Sequence, residues 1–201
     1  MTDIPTFHEP PELADLGPMP DMNKESKTAK IALTFLVMGA VTWLGSVAIR
    51  VLIGLDLLQF ASLEFKPNLH PYIERTVFSL VAQSALVAAG AYVVVWFAGL
   101  VFLRTTSARL KEHGWLMMAA ILFYVFTPVE IYTGILDFRM WLLDSAGSND
   151  LVEFRKLFIH RLGALSGVPM IAFLCYYTII VLAVFRPFRK RSPVSAPTGL
   201  N

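Results

Sequence analysis

Four stretches of this chain stay apolar for longer than the core of a globular domain requires. The first runs from Ile31 to Ile49 and continues past Arg50 and Asp56 towards Leu63. The second runs from Thr76 to Leu103, between Arg75 and Arg104. The third runs from Gly114 to Leu136 and is interrupted only by Glu130. The fourth runs from Leu162 to Phe185, between Arg161 and Arg186. Each reaches the roughly 20 residues needed to cross about 30 Å of hydrocarbon. Hydrocarbon offers backbone groups no water, so only helices or a closed barrel can cross it. Barrel strands alternate apolar and polar residues, and these runs do not. The expected fold is therefore an all-α integral membrane protein: a four-transmembrane-helix bundle, with helices at about 30–62, 73–104, 113–142 and 151–187, behind an extended N-terminal arm.

Composition supports that reading. Of 201 residues, 56% are hydrophobic and 16% charged, against about 25% charged in soluble domains. The net charge of +2, with no basic stretch interleaved with aromatics, argues against a nucleic-acid partner. Cys175 is the single cysteine, which excludes an intrachain disulfide and any Cys-based zinc or iron–sulfur site.

Residues 1–23 contain no Lys or Arg and carry Asp3, Glu9, Glu12, Asp15 and Asp21 among several prolines. Residues 1–28 are therefore expected to form an acidic, Pro-rich cytoplasmic arm that is either disordered or extended to dock on a partner. The first 27 residues lack the basic start and apolar core of a signal peptide, so the first helix is the expected targeting signal. Residues 29–187 form the expected transmembrane domain, and 188–201 a cytoplasmic tail. Lys24, Lys27, Lys30, Arg104, Arg109, Lys111, Arg186, Arg189, Lys190 and Arg191 cluster on one side of the spans. The positive-inside rule then places both termini in the cytoplasm of an inner-membrane protein.

In the loop between the third and fourth spans, SAGSND at 145–150 is a turn cluster, and Asp150 is placed to cap a helix beginning LVEFRKLF. That helix is expected to lie at the membrane surface with Phe154, Leu157 and Phe158 facing lipid. Pro128 is expected to kink the third span.

Charged residues inside a span are costly and usually mark structure or function. Counting about 1.5 Å per residue from the cytoplasmic ends, Arg50, Gln83, Glu130 and Ser166 fall in one polar layer near the outer face. Arg50 and Glu130 form either an ion pair that fixes helix register, two snorkelling side chains, or a functional polar site. A second layer further out could gather Asp56, His70, Asp137 and His160, either as interfacial polar residues or as a metal site. No span carries a central His, which argues against a mid-membrane haem. C-x-x-C-H is absent, which excludes covalent c-type haem. No motif singles out a quinone or pigment, and the cofactor is left unassigned.

Trp43-Leu44-Gly45-Ser46 in the first span, with Phe154, Arg155, Phe158, His160 and Ser166 leading into the fourth, resemble the four-helix membrane family related to the copper-resistance D domain. The resemblance covers these two short stretches, and the intramembrane Met and His ligands it calls for are missing from them.

Small residues line helix two (Ser79, Ala82, Ala85, Ala88, Ala89, Gly90) and helix four (Gly163 and Gly167). They allow close approach of helix backbones in lipid. No nucleophile–base pair, phosphate loop or metalloenzyme signature is present, so an enzyme is the weakest reading. The expected function is a non-catalytic membrane subunit or scaffold of a larger membrane complex, respiratory or photosynthetic for example. Its partners would be the lipid bilayer and other membrane protein subunits. The alternative is a small carrier or metal-handling protein using the polar layers.

Overall fold

A computed structural model of the chain describes residues 26–59, 64–107, 110 and 113–187, with the backbone alone at 165 and 166. The acidic stretch 1–25 of the expected arm and the tail from 188 onwards lie outside the described residues. So do Lys24, Arg109, Lys111, Arg189, Lys190 and Arg191.

The described chain is helical throughout, apart from turns and isolated bridges. Four helical stretches are long and apolar enough to cross a membrane. Helix α1 (Lys27–Leu55) is capped by Ser26, whose hydroxyl accepts from the Ala29 N–H at 3.0 Å. Helix α2 (Pro71–Thr105) starts on Pro71, where the missing N–H costs nothing. His70 caps it, its Nδ1 accepting from Tyr72 N–H at 3.3 Å. The third span is broken into α3 (Gly114–Val125) and α4 (Thr127–Ser145). The break falls at Phe126, two residues before Pro128, whose ring and absent N–H prevent an unbroken helix there.

Helix α5 (Leu151–Leu162) begins at Asp150, whose carboxylate accepts from the N–H groups of Val152 and Glu153 at 3.1 and 3.2 Å. A 3-10 turn, Ala164–Gly167, then leads into α6 (Val168–Phe185). Gly167 sits at φ +89, a conformation that glycine adopts without steric cost.

Two sequence expectations about boundaries change. The first helix stops at Leu55 rather than near 62. The chain turns at Asp56, and Leu58 bridges to Phe65, because Leu57 and Leu58 are drawn into a core and are 1% and 3% exposed. The fourth segment is not one helix over 151–187. It divides at the Gly163–Gly167 turn, so that α6 alone is the span.

Helix length explains the overall shape. At 35 residues α2 is about 52 Å long, well beyond a ~30 Å hydrocarbon layer. Its excess, with the ends of α1 and α4, forms a head. Helix α5 caps the head by packing on α4 and α2. Phe154, Leu157 and Phe158 of α5 are buried against Phe78, Leu136 and Met140 in the head core, not exposed to lipid as the sequence suggested. Phe78 and Phe154 stack with ring centroids 5.4 Å apart. The other end is an apolar shaft. In it Trp43 packs on Tyr92 and Tyr176, at centroid distances of 5.0 and 4.6 Å, within a smaller aromatic cluster.

Candidate functional site: an ionic cluster at the junction of head and shaft

Three helices place charges at one point between head and shaft. Arg50 lies near the end of α1 and is 4% exposed; Asp137 of α4 is 7% exposed. Arg50 Nη1 donates to Asp137 Oδ2 at 2.6 Å. Arg161, at the end of α5, brings its Nε to 2.6 Å from the other carboxylate oxygen of Asp137, an ion-pair contact without hydrogen-bond alignment. One carboxylate therefore ties α1, α4 and α5 together.

Glu130 sits two helical turns before Asp137 on α4, which puts both acids on one face. Its Oε1 accepts from the Tyr176 hydroxyl of α6 at 3.1 Å. Tyr92 of α2 donates to Thr127 Oγ1 at 3.2 Å on the same side.

Above this cluster two further ion pairs join helices of the head. Glu74 is 1% exposed. Arg155 grips it with both prongs, Nε at 2.5 Å and Nη2 at 2.6 Å, the bidentate geometry that suits a carboxylate. The hydrogen bonds to Glu74 raise the Arg155 pKa above its ordinary value. Arg75 donates to Asp144 at 2.7 Å and to the Ser148 carbonyl at 2.8 Å. The same guanidinium lies 4.7 Å from the centre of the Phe154 ring, a cation–π contact.

Below the cluster, α1, α2 and α4 line an open cavity of about 310 Å³, with Arg50 and Asp137 at its head end and Glu130 two turns further down α4.

The structure distributes the sequence candidates differently from the two expected layers. Arg50 pairs with Asp137, and Glu130 bonds Tyr176 instead. Gln83 is exposed and donates to Ser79 on its own helix at 3.1 Å. The Ser166 backbone lies in the 3-10 turn; its side chain is outside the described residues. The outer set separates as well. Asp56 pairs with Lys66 at 2.8 Å on the surface, His70 caps α2, and His160 Nε2 is 3.0 Å from the Tyr132 hydroxyl. Among the described residues, no three His, Cys, Asp or Glu side chains gather to hold a metal.

Depth counting missed Asp137 as Arg50's partner because it compared backbone heights alone. A guanidinium reaches well beyond its own Cα, and the break at Phe126 removes the straight ruler along the third span. Arg161 was missed because it was read as a flank of the fourth span. The i, i+7 spacing of Glu130 and Asp137 was the available signal.

No protein family, curated protein or solved structure matches this chain. The short resemblance to the copper-resistance D family gains no support from these comparisons, and the site stands on its own geometry.

Proposed function

We propose that the chain is a multi-pass integral membrane protein that serves as a non-catalytic subunit or scaffold of a larger membrane complex. The observation that carries this reading is the commitment of the charged side chains to one another. Arg50, Asp137 and Arg161, Glu74 with Arg155, and Arg75 with Asp144 join the helices of the head. Paired in this way, they act as fasteners between elements rather than as groups held ready for chemistry. The spans, in contrast, keep few of their side chains within the chain. In the most apolar stretch of each, 11–22% of residues are buried. That leaves a large apolar surface for lipid and for neighbouring subunits.

Lys27, Lys30, Arg104 and Arg186 lie at the foot of the shaft, opposite the head. By the positive-inside rule the foot, and with it both termini, faces the cytoplasm of an inner membrane. The metal-handling alternative loses its main support, because Asp56, His70, Asp137 and His160 lie in different places.

Native mass spectrometry of gently solubilised membranes tests the proposal. A stable complex with one or more other membrane proteins is expected. Recovery of the chain only by itself, or only as a homo-oligomer, would refute it. A reporter active only in the cytoplasm and fused to the C-terminus checks the orientation, and a silent reporter there would reverse it.

A further inference from the structure

Charge is balanced locally in the head and left unbalanced at the foot of the shaft. In the head, Arg50, Lys66, Arg75, Arg155 and Arg161 each lie within ion-pair distance of an Asp or Glu. At the foot, Lys27 and Arg104 are exposed and Lys30 is half-buried. Among the described residues none of these three has an ion-pair partner. The first turn of α1 and the last turn of α2 contain no Asp or Glu.

The three cations share one place because α2 ends where α1 begins. The Ser26 hydroxyl donates to the Thr105 carbonyl at 3.4 Å, which sets the first turn of α1 beside the last turn of α2. Like charges gathered there repel one another and attract an anion. Towards the head, each helix continues from its cation as an apolar stripe. Lys27, Ile31 and Phe35 recur every fourth residue along α1, and Val94, Phe97, Val101 and Arg104 recur at three and four along α2. The two stripes flank the same side of the joint, since a Cβ on Gly39, one turn beyond Phe35, would meet the Val94 side chain at 3.3 Å. Ile31 and Phe35 are 58% and 56% exposed, and Val94 and Val101 42% each.

A phospholipid has the same layout, with a phosphate at the membrane surface and acyl chains running into hydrocarbon. The uncompensated cations select among headgroups. A choline group would add a fourth cation to the cluster, whereas a net negative headgroup neutralises it. We propose that the foot of the α1–α2 joint binds an anionic phospholipid. Its phosphate sits among Lys27, Lys30 and Arg104, and its acyl chains lie along Ile31 and Phe35 and along Val94 and Val101. This rests on the membrane-spanning part of the reading above and not on membership of a complex.

The test titrates the purified full chain in detergent with phosphatidylglycerol or phosphatidylcholine of identical acyl chains, with bound lipid read by native mass spectrometry. Phosphatidylglycerol is expected to bind at least about tenfold more tightly. Arg104→Gln and Lys27→Gln should each reduce that preference about fivefold, the effect of one cation at an anionic surface, with an unchanged melting temperature. Either variant suffices should the other fail to fold. Arg139→Gln, which removes an exposed cation of the head, should leave the preference intact. The proposal is overturned if the two lipids bind equally, if a folded foot variant keeps the full preference, or if Arg139→Gln lowers it as much. It is also overturned if the preference appears only after Glu9→Gln, Glu12→Gln and Asp15→Asn are combined, because the acidic N-terminal segment would then be the occupant of the foot.

Discussion

Head and shaft are built from the same helices, yet they are held together by different forces. The head packs Phe65, Phe78, Phe154 and Phe158 densely around Leu57, Leu58 and Met140 and crosses that core with bidentate and buried ion pairs. The shaft has a smaller aromatic cluster, two tyrosine hydroxyl contacts between helices near Glu130, and a cavity. The contrast fits the proposed setting of the head in water, which drives apolar side chains inward to make a core, and of the shaft in hydrocarbon. Within hydrocarbon that drive disappears, and close packing of small residues together with a few polar contacts must suffice.

The sharpest way to break this comparison is to remove the carboxylate at the junction. Asp137→Ala leaves the guanidinium groups of Arg50 and Arg161 facing each other in a buried site. Losing one partner of a buried pair costs roughly 3–5 kcal/mol, and here two cations lose the same partner. Denaturation in bicelles measures the loss. A cost below about 1 kcal/mol would mean that charge does not hold the head on the shaft. Combining Asp137→Leu with Arg50→Met and Arg161→Met should restore most of the stability, since apolar replacement of a whole buried cluster is often neutral.

Arg155→Ala probes the head alone. Glu74 is fully buried but the Arg155 side chain is 44% exposed. Its loss should therefore fall between the values for buried and surface pairs, about 2 kcal/mol. Arg155→Lys should recover only part of this, because an ammonium cannot reproduce the two-pronged contact.

Two glycines of α1 compare a face packed in the head with an exposed face of the shaft. A Cβ on Gly54 would meet Phe158 ring carbons at 2.8 and 2.9 Å, and that ring is held between Phe65 and Phe78. Gly54→Ala should cost about 1–3 kcal/mol. Gly45 has nothing within 4 Å of such an atom, and Gly45→Ala should stabilise by about 0.5–1 kcal/mol through helix propensity. Equal effects at the two positions would mean that Phe158 does not pack tightly against α1. The smallest effect is expected at the surface. Lys66→Ala, which breaks only the exposed pair with Asp56, should change stability by less than about 0.5 kcal/mol.

Much of the spanning architecture was legible from the chain itself. The four apolar runs, the Pro128 break and the Asp150 cap each rest on local chemistry: length against bilayer thickness, a missing N–H, a carboxylate beside free N–H groups. The site was legible only in fragments. Arg50 and Glu130 could be singled out as costly charges, with Asp137 set apart in an outer layer, and pairing Arg50 with Glu130 assumed straight helices and short side chains. Phe154, Leu157 and Phe158 were visible as one apolar face. Whether that face met lipid or protein depended on Phe78, which is remote in sequence.

The same division holds for the whole protein. Sequence alone determined that the chain forms long apolar helices, and that Arg50 and Glu130 are charges costly to leave within them, because burial cost and helix length are local properties of residues in their solvent. Tertiary structure alone decided that α5 folds over the head, that Asp137 rather than Glu130 receives Arg50, and that a cavity remains between α2 and α4. Those outcomes depend on which of several affordable contacts can form together, and that is settled only when all the helices pack at once.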